Sequence, residues 1–381
     1  MIASFEVGPI RPPSEARSLL VRVTRNCPHN RCAFCPVYHG AKFSIRSLEE
    51  VLADVDAMGE LAAALTALSQ ELGCEGEVTL AVLQSAARQG LLPDGGALQV
   101  AHFLAAGGKS VFLQDANSLV MRPEQLVQVL DRVRATFPSV ARVTSYARAH
   151  TLTRRSPEQL AELRRHGLDR VHVGLESGSD RVLELVRKGV DAARQIEAGR
   201  RAKGAGMELS EYVMPGLGGR ALSVEHARES ARVLSAIDPH FIRLRTTAFS
   251  PGTELAEMAG DGTIEPMDDE EVVAEIRLLI ESLQVSSLLR SDHVLNLLAE
   301  LEGKLPGDRA RLLGIIDRFQ ALEPRLRRAF VVARRAGLVT LLDELERPAV
   351  RERALALLEA VEAEHGGDLG AAVRALMTRF V

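Results

Sequence analysis

The stretch from Arg142 to Gly174, RVTSYARAHTLTRRSPEQLAELRRHGLDRVHVG, reads as a strand, a helix and a second strand. Its two ends, Arg142–Ser145 and Arg170–Gly174, are short runs of β-branched and apolar residues. Between them, Ser156-Pro157-Glu158-Gln159 combines an N-cap Ser, a Pro at the first helical position and a capping-box Gln, and Gly167 ends the helix. This order predicts one strand–helix unit of a parallel sheet.

The same unit recurs along the first two thirds of the chain. Candidate strands are Leu19–Thr24, Ser110–Leu113, Arg142–Ser145, Arg170–Gly174, Glu208–Val213 and Phe241–Leu244. The last five begin about 30 residues apart, which is the length of one strand-plus-helix unit. Six such units are too few for a complete eight-unit barrel. We therefore predict an α/β fold built on a partial (βα)6 TIM-like barrel.

Three segments follow from this pattern. Residues 1–17 form an N-terminal arm, residues 18–262 the barrel, and residues 268–381 an all-helical C-terminal domain that opens with the capping pair Asp268 and Glu271. The gap between the first two strands is too long for one unit. It predicts a helical insertion at about 59–106, broken by glycines from Gly59 onward.

Composition excludes several classes of protein. With 46% hydrophobic and 26% charged residues among 381, the chain is typical of a globular protein and not of a disordered or fibrous one. A net charge of −4 removes the broad attraction on which general nucleic-acid binders depend. We find no apolar run of transmembrane length and no secretory leader pattern, so we expect a cytoplasmic protein that does not bind membranes.

Three of the four cysteines, Cys27, Cys32 and Cys35, lie within nine residues directly after the first predicted strand. This spacing indicates a metal site in a reducing compartment rather than a disulfide framework. Three thiolates can hold three irons of a four-iron cluster and leave the fourth iron open. A closed Cys3His zinc site completed by His39 or His29 is the alternative. The fourth cysteine, Cys74, is predicted to be an ordinary small residue.

Two motifs carry a resemblance to a known family. One is the cysteine loop with Phe34 before its third cysteine, and the other is Val173-Gly174-Leu175-Glu176-Ser177-Gly178-Ser179-Asp180 followed by Lys188-Gly189. With the partial barrel, they resemble the radical S-adenosylmethionine (radical SAM) superfamily over about residues 18–255. The likeness is to the branch of the Elp3-like proteins and the oxygen-independent coproporphyrinogen oxidases. The spacing here is C-x4-C-x2-C, one residue longer than the family's usual C-x3-C-x2-C.

The resemblance implies a cofactor set and a reaction. Cys27, Cys32 and Cys35 would hold one [4Fe-4S] cluster, and S-adenosylmethionine (SAM) would be cleaved to a 5′-deoxyadenosyl radical that abstracts hydrogen from a small-molecule substrate. An electron donor such as flavodoxin or ferredoxin and an oxidoreductase activity are implied with it. Two alternatives stay open: a cluster- or heme-carrying protein without SAM turnover, and a zinc-stabilised interaction protein.

The resemblance also implies which residues hold SAM. Phe34 would pack near the adenine, or else it is a hydrophobic plug. Asp115, in Gln114-Asp115-Ala116-Asn117 where the family has Gly-Gly-Glu, would accept a hydrogen bond from the methionyl amino group, or else it belongs to an Asx-rich turn. Glu176 and Ser177 would contact the ribose hydroxyls, although Ser177–Asp180 also fits the turn and N-cap of a following helix.

Further candidates lie at the ends of the later strands. Arg148 would pair with the SAM carboxylate or have a surface role, and Gly216 and Gly218 would let the backbone approach the adenine or simply form a turn. Candidates for substrate contact are Arg243, Arg245, Thr246 and Thr247. In the C-terminal region, Ser291-Asp292-His293 with Asn296 is predicted to begin a helix, either as an N-cap or as a substrate contact.

Overall fold

The computed structural model describes residues 4–364 and 369–377. Its strands alternate with helices through most of the chain. The strands are β1 (Leu19–Arg22), β2 (Thr24–Arg25), β3 (Ser44–Ile45), β4 (Ser110–Gln114), β5 (Arg142–Ala147), β6 (Leu168–Glu176), β7 (Glu208–Val213), β8 (Phe241–Leu244), β9 (Leu288–Arg290) and β10 (Gly303–Lys304).

The helices fill the connections between these strands and most of the C-terminal region. They are α1 (Leu48–Glu71), α2 (Leu80–Arg88), α3 (Gly95–Ala105), α4 (Pro123–Thr136), α5 (Ala149–Arg154), α6 (Pro157–Arg165), α7 (Asp180–Leu185), α8 (Ala192–Gly204), α9 (Gly219–Ile237), α10 (Glu254–Gly260), α11 (Asp269–Ser282), α12 (Arg309–Gln320), α13 (Pro324–Arg335), α14 (Pro348–Glu364) and α15 (Leu369–Met377).

Eight strands form one sheet in the order β1-β4-β5-β6-β7-β8-β9-β10. The pairs β1–β4, β4–β5, β5–β6, β7–β8 and β8–β9 are parallel, and β10 runs antiparallel to β9. All six predicted strands are present in this sheet. The helices between them are the crossover connections that parallel neighbouring strands require. The predicted α/β class with a partial parallel barrel is confirmed.

The chain divides into two compact units. The first contains residues up to 30, 40–173 and 200–209, and the second contains 31–39, 174–199 and the residues from 210 onward. In the first unit the core residues of β1 and β4, such as Leu19, Val21 and Phe112, have no exposed surface, as expected of parallel strands covered on both faces. In the second unit, Val182, Leu217 and Leu255 belong to a separate buried cluster.

The predicted helix break at Gly59 is wrong. Helix α1 runs without interruption from its capping box at Ser47 and Glu50 to Glu71. A Cβ atom at position 59 would lie 2.5 Å from Cγ2 of Thr136 on α4. Gly59 therefore serves close packing between two helices, which a glycine permits, and it does not end a helix. The helical insertion itself is present as α2 and α3.

The C-terminal region differs from the all-helical prediction in two places. Strands β9 and β10 extend the sheet beyond β8, and residues 291–300 between them form turns instead of the predicted helix. Asn296 in these turns donates to the carbonyl of Leu244 at the end of β8 and accepts from the amide of Thr246. Helix α11 does open with the predicted capping box of Asp268 and Glu271. None of the described helices is long and apolar enough to cross a membrane.

Candidate functional site

The cysteine loop follows the first strand and connects β2 to β3, two short strands that pair antiparallel. Asn26 and Asn30 have left-handed backbone conformations, with φ of 66° and 45°, which Asn tolerates better than most residues. Their side-chain amides donate to the carbonyls of Lys42 at 2.7 Å and Ala41 at 3.1 Å. Two local bonds thus close the base of the loop.

The tip of the loop, residues 31–39, belongs to the second unit. The amide of Cys35 donates to the carbonyl of Cys32 at 3.1 Å, so these two cysteines share one tight turn. Between them, Ala33 donates to the carbonyl of Val186 and accepts from the amide of Leu255, both at 2.9 Å. The turn that carries the second and third cysteines is therefore tied to the ends of α7 and α10.

All four cysteines are outside disulfides and partly exposed. Within residues 4–364 and 369–377, no group of three or more His, Cys, Asp or Glu side chains converges on a common metal position. As donors, three accessible thiols in one irregular loop fit a cluster with three protein ligands. His29, half-buried, and His39, exposed, are the additional donors that a Cys3His zinc site would use.

Glu176 lies at the end of β6 in a left-handed conformation, with φ of 61°. Its Oε1 atom accepts a hydrogen bond from Nζ of Lys188 at 2.7 Å, and both side chains are 12% exposed. The same ammonium lies 5.8 Å from the centroid of the Phe34 ring, within cation–π range. A Cβ atom on Gly174 would lie 2.1 Å from Oε1 of Glu176, so this glycine makes room for the carboxylate.

Glu211 on β7 completes this group, which we call the Lys188 cluster: Phe34, Glu176, Lys188 and Glu211. Its side chain is buried, and its Oε2 atom has no hydrogen-bond partner in the described part of the chain. Burial and then the charge of Glu176 raise the pKa of Glu211 well above its usual range, while the Lys188 ammonium opposes the shift. The cluster thus combines an ion pair with a buried carboxyl whose pKa is raised, a combination typical of functional sites.

A second buried network holds the residues that follow Glu176. The Ser177 hydroxyl lies 2.8 Å from Nδ1 of His226 on α9, and Nε2 of His226 lies 3.6 Å from Oε1 of Glu275 on α11. Oε1 of Glu275 also accepts a hydrogen bond from the amide of Gly216 at 2.7 Å. Ser177 and Gly216, both predicted SAM contacts, are therefore joined through His226 and Glu275.

The turn after Ser177 packs against α9. Gly178 donates its amide to the Ser230 hydroxyl at 2.9 Å, and a Cβ atom there would lie 2.2 Å from the carbonyl oxygen of Glu229. Ser179 is the N-cap of α7, with its hydroxyl accepting from the amide of Val182 at 3.2 Å. The predicted turn and N-cap are confirmed, and their packing fixes the backbone that carries Glu176.

The glycine-rich stretch after β7 uses its glycines in two ways. Gly216 has a φ of 85°, which favours glycine directly. Gly218 has an ordinary φ of −81°, but a Cβ atom there would lie 2.9 Å from Cβ of Leu222. The first glycine meets a backbone requirement and the second a packing requirement, so the two predicted contacts are not equivalent.

In the first unit, Asp115 is buried at the end of β4. Its Oδ2 atom accepts hydrogen bonds from Nε and Nη2 of Arg22 at 3.1 and 2.7 Å and from the amide of Asn26 at 3.3 Å. Arg22 also donates to Glu6 of the N-terminal arm at 2.7 Å. Arg148, partly buried at the start of α5, donates its amide to Oδ1 of Asn117 at 3.3 Å.

The structure thus distributes the predicted site residues over the two units. Cys27, Asp115 and Arg148 lie in the first unit. The second unit contains Cys32, Cys35, Phe34, Glu176, Ser177, Gly216 and Gly218. From the sequence, Lys188 was recognised only as part of a motif, and Glu211, His226 and Glu275 were not predicted as site residues. The sequence did hold one signal for Glu211, which is the acidic residue in the strand segment Ser210-Glu211-Tyr212-Val213. Charged residues are rare on buried strands, so such a residue is a candidate for a functional role.

The predicted substrate residues near β8 are engaged within the second unit. Arg243 forms an ion pair with Asp292, and Oδ1 of Asn296 accepts from the amide and hydroxyl of Thr246 at 2.9 and 3.1 Å. Nδ1 of His293 accepts from the amide of Leu295 at 3.3 Å. Burial and then the charge of Arg245 lower the pKa of His293 to about 4, although Asp292 opposes the shift. These contacts hold residues 291–296 against the chain where it leaves β8.

Two curated archaeal proteins are similar to parts of the chain. One is a "tRNA uridine(34) acetyltransferase" of Methanocaldococcus infernus, 25% identical over 123 residues that make up 32% of this chain and 23% of that protein. The other is the uncharacterized protein MJ0486 of Methanocaldococcus jannaschii, 23% identical over 168 residues, 44% of this chain and 51% of that protein. The chain thus spans about a quarter and about half of these relatives.

Solved structures that resemble the chain include the Elp3 of Methanocaldococcus infernus with an N-terminal deletion, at 17% identity and a TM-score of 0.43, covering 57% of this chain and 55% of that one. Methylornithine synthase gives 16% identity, a TM-score of 0.42, and coverage of 70% and 63%. Coproporphyrinogen III oxidase from Escherichia coli gives 14%, 0.42, and coverage of 69% and 51%.

A protein-family model matches the middle of the chain. The model is described as the Radical SAM superfamily, and it matches residues 97–231. This segment contains Asp115, Arg148, Glu176, Lys188 and Glu211, and it begins after the cysteine loop. The resemblance predicted from the sequence is therefore confirmed over residues 97–231, which match the model of the radical SAM superfamily.

Proposed function

We propose that this protein is a radical SAM enzyme that holds one [4Fe-4S] cluster on Cys27, Cys32 and Cys35. When bound, the cluster supplies the electron that cleaves SAM to methionine and a 5′-deoxyadenosyl radical, which abstracts hydrogen from a small-molecule substrate. A cytoplasmic location and an electron donor such as flavodoxin or ferredoxin are part of the proposal. Its substrate is not assigned to porphyrins.

The observation that carries this proposal is the Lys188 cluster. Phe34 comes from the cysteine loop, whereas Glu176, Lys188 and Glu211 come from the segment that matches the superfamily model. The cation–π contact and the 2.7 Å ion pair bring these two parts of the sequence to one place within the second unit. An ordinary core would not place an ammonium and two carboxyls together at a strand end.

The residues of the cluster have separable roles in binding SAM. The ion pair with Lys188 fixes the orientation of the Glu176 carboxylate, which can then accept hydrogen bonds from the ribose hydroxyls. Burial raises the pKa of Glu211, which favours the protonated carboxyl, and that form can donate as well as accept a hydrogen bond. The His226–Glu275 network contacts the hydroxyl of Ser177 at one end and the backbone amide of Gly216 at the other, so it restrains both residues.

Anaerobic reconstitution with iron and sulfide tests the proposal. The purified chain is reduced with dithionite in the presence of SAM, and iron content, cluster absorbance and 5′-deoxyadenosine are measured. Cys32→Ala is the test variant, and Cys74→Ala is its matched control, because both thiols are partly exposed and outside disulfides. We expect about four irons per chain and SAM cleavage in the wild type and in Cys74→Ala, and loss of both in Cys32→Ala.

Three outcomes would contradict all or part of the proposal. One tightly held zinc per chain, with no cluster after reconstitution, would favour the zinc-stabilised interaction protein. A reduced cluster that never yields 5′-deoxyadenosine would favour a cluster or heme carrier. Equal iron loss in Cys74→Ala and Cys32→Ala would also remove the assignment of the three ligands, since Cys74 lies far from the loop in sequence.

A further inference from the structure

A cavity of about 250 Å³ lies in the second unit where the chain leaves β8. It is bounded by residues 246–249, the first turn of α11, α13 and α15. This volume is near the lower end of the range of small-molecule sites, about 300–1,000 Å³. Ligand sites of parallel α/β sheets lie beyond the carboxyl ends of their strands, which is the position of this cavity.

The wall of the cavity is mainly apolar. Its larger side chains are Phe249, Met267, Val272, Val331, Val373 and Met377. Two hydroxyls on the wall already have partners: that of Thr246 donates to Asn296, and that of Thr247 donates to the carbonyl of Met214 at 3.4 Å. An occupant would therefore meet aliphatic and aromatic surface over most of its body.

The acidic residues on the cavity wall have close hydrogen-bond or ion-pair partners, whereas, in the part of the chain that the structure describes, the arginines on the wall do not. Asp269 forms a buried ion pair with Arg335, Oε2 of Glu270 lies 2.8 Å from Nε of Arg327, and Asp268 accepts from the amide of Glu271 at 2.8 Å. The two arginines of the wall, Arg328 on α13 and Arg374 on α15, have weaker partners. Nε of Arg328 is 3.9 Å from Glu362, and Arg374 has no ion pair within the described residues.

We propose that this cavity binds a small carboxylic acid with an apolar body, whose carboxylate is held by Arg328 and Arg374. Guanidinium groups match a carboxylate in geometry and charge. A single negative charge is favoured over the double charge of a phosphate monoester, because three acidic residues line the same wall. The apolar side chains then receive the rest of the molecule.

The cavity also adjoins the predicted cofactor loop. A Cβ atom on Gly216 would lie 3.4 Å from Cγ2 of Val272 and 3.9 Å from Cβ of Thr247, and both of these residues line the cavity. A ligand in the cavity would thus lie one side-chain layer from Gly216. If this acid is the enzyme's substrate, that role rests on the proposed function. Binding of the acid in the cavity does not depend on the proposed function.

Titration calorimetry on the purified full-length chain, without cluster or SAM, tests the site. The probes are octanoate, 1-octanol of equal chain length without charge, and octyl phosphate. We expect octanoate to bind more tightly than either of the others. Arg328→Gln and Arg374→Gln should each weaken octanoate binding about tenfold and leave 1-octanol unchanged, because each removes a charge-assisted hydrogen bond.

Two further variants complete the test. Val373→Trp, on the partly exposed face of α15, should fill the cavity and abolish binding of octanoate and of 1-octanol. Arg88→Gln, an exposed arginine on α2, is the matched control and should bind all three probes as the wild type does. The fold of every variant is checked by circular dichroism.

The site would be overturned if octanoate failed to bind, if the double variant Arg328→Gln/Arg374→Gln bound it normally, or if octyl phosphate bound more tightly. These results are independent of the proposed reaction. A chain that binds octanoate through the two arginines but never cleaves SAM would keep the site and lose the enzyme. A chain that cleaves SAM but ignores octanoate would do the reverse.

Discussion

Asp115 in the first unit and Glu211 in the second are both buried acids at the sheet, yet they are held in different ways. Asp115 accepts two hydrogen bonds from the Arg22 guanidinium and one from a backbone amide. Glu211 has no arginine partner within the described residues, keeps an unpartnered Oε2 atom and lies beside another carboxyl, Glu176. Buried groups of the second kind are rare and call for an explanation in terms of function.

The comparison separates two expectations that looked alike in the sequence. Asp115 and Glu176 both follow predicted strands, and both were expected to bind SAM. The chain satisfies Asp115 with its own arginine, which also anchors the N-terminal arm through Glu6. Glu176 is paired with a lysine that also contacts an aromatic ring and lies near the Glu211 carboxyl, whose pKa is raised. The first arrangement favours stability, and the second favours ligand binding.

The largest effect is expected from breaking the satisfied pair. Arg22→Met leaves the Asp115 carboxylate buried without its cation, and such removal costs about 3–5 kcal/mol. The free energy of unfolding from urea denaturation at pH 7 measures this. The double variant Arg22→Met/Asp115→Asn should recover more than half of the loss, because no buried charge then remains. A loss below about 1 kcal/mol for the single variant would contradict a structural role for the pair.

His293 is a partly buried histidine whose ring nitrogen accepts a hydrogen bond, and it extends the comparison to a basic group. Its pKa is lowered from 6.5 to about 4, and Nδ1 must stay unprotonated to accept from Leu295. A base with a lowered folded-state pKa contributes stability above its unfolded pKa and loses it as pH falls. Between pH 6.5 and 4 the wild type should therefore lose on the order of 3 kcal/mol more than His293→Gln.

The measurement is the free energy of unfolding of both proteins at several pH values. Other carboxyls titrate in the same range, so the difference between the two proteins is compared, not the profile of either alone. Parallel profiles from pH 7 to pH 4 would show that His293 titrates normally. The segment 291–296 would then not be held as the structure indicates.

The strands and helix caps could be predicted from the sequence because they depend on local signals. The strands Glu208–Val213 and Phe241–Leu244 have the predicted bounds, and Ser156 and Asp268 are N-caps as expected. These features need only the alternation of apolar residues and the chemistry of one turn. The same reasoning failed at Gly59, since its packing partner Thr136 is distant in sequence.

The site was predictable only in part for the same reason. A motif indicates that Glu176 and Lys188 belong together, because they are twelve residues apart around one short helix. Glu211, His226 and Glu275 reach the site from separate elements, and single side chains of these types occur throughout the chain. Their roles depend on burial and on which neighbours the fold provides, which no local pattern records.

Two glycines of the VGLESGS motif allow a direct contrast between a rigid and a movable neighbour. A Cβ atom at Gly178 would meet the backbone carbonyl of Glu229 at 2.2 Å, whereas one at Gly174 would meet the end of the Glu176 side chain at 2.1 Å. Gly178→Ala should therefore cost about 1–3 kcal/mol of stability, because the backbone cannot yield. Gly174→Ala should cost about 1 kcal/mol or less and displace Glu176 from Lys188.

Thermal unfolding ranks the two glycine variants, and calorimetric titration with SAM distinguishes them in function. Gly174→Ala should weaken SAM binding while remaining nearly as stable as the wild type. Gly178→Ala should be the less stable of the two. If Gly174→Ala bound SAM normally, the ion pair between Glu176 and Lys188 would have no part in holding the cofactor. Glu176 would then not differ from Asp115 by a role in ligand binding.

The last comparison of stability concerns Glu211, whose pH dependence is opposite to that of His293. A carboxyl with a raised folded-state pKa contributes stability that is fully present below its unfolded pKa, near 4.5, and is lost as pH rises through its folded pKa. Glu211→Gln keeps the shape and removes the titration. Its stability relative to the wild type should increase as pH rises above 4.5, by up to about 1.4 kcal/mol per pH unit, because only the wild type has to keep a proton that its unfolded chain releases. Denaturation at pH 4.5, 6 and 8 measures the difference. A wild type that gains stability over Glu211→Gln as pH rises would mean that Glu211 is ionised and paired, as Asp115 is, and the distinction between the two acids would fail.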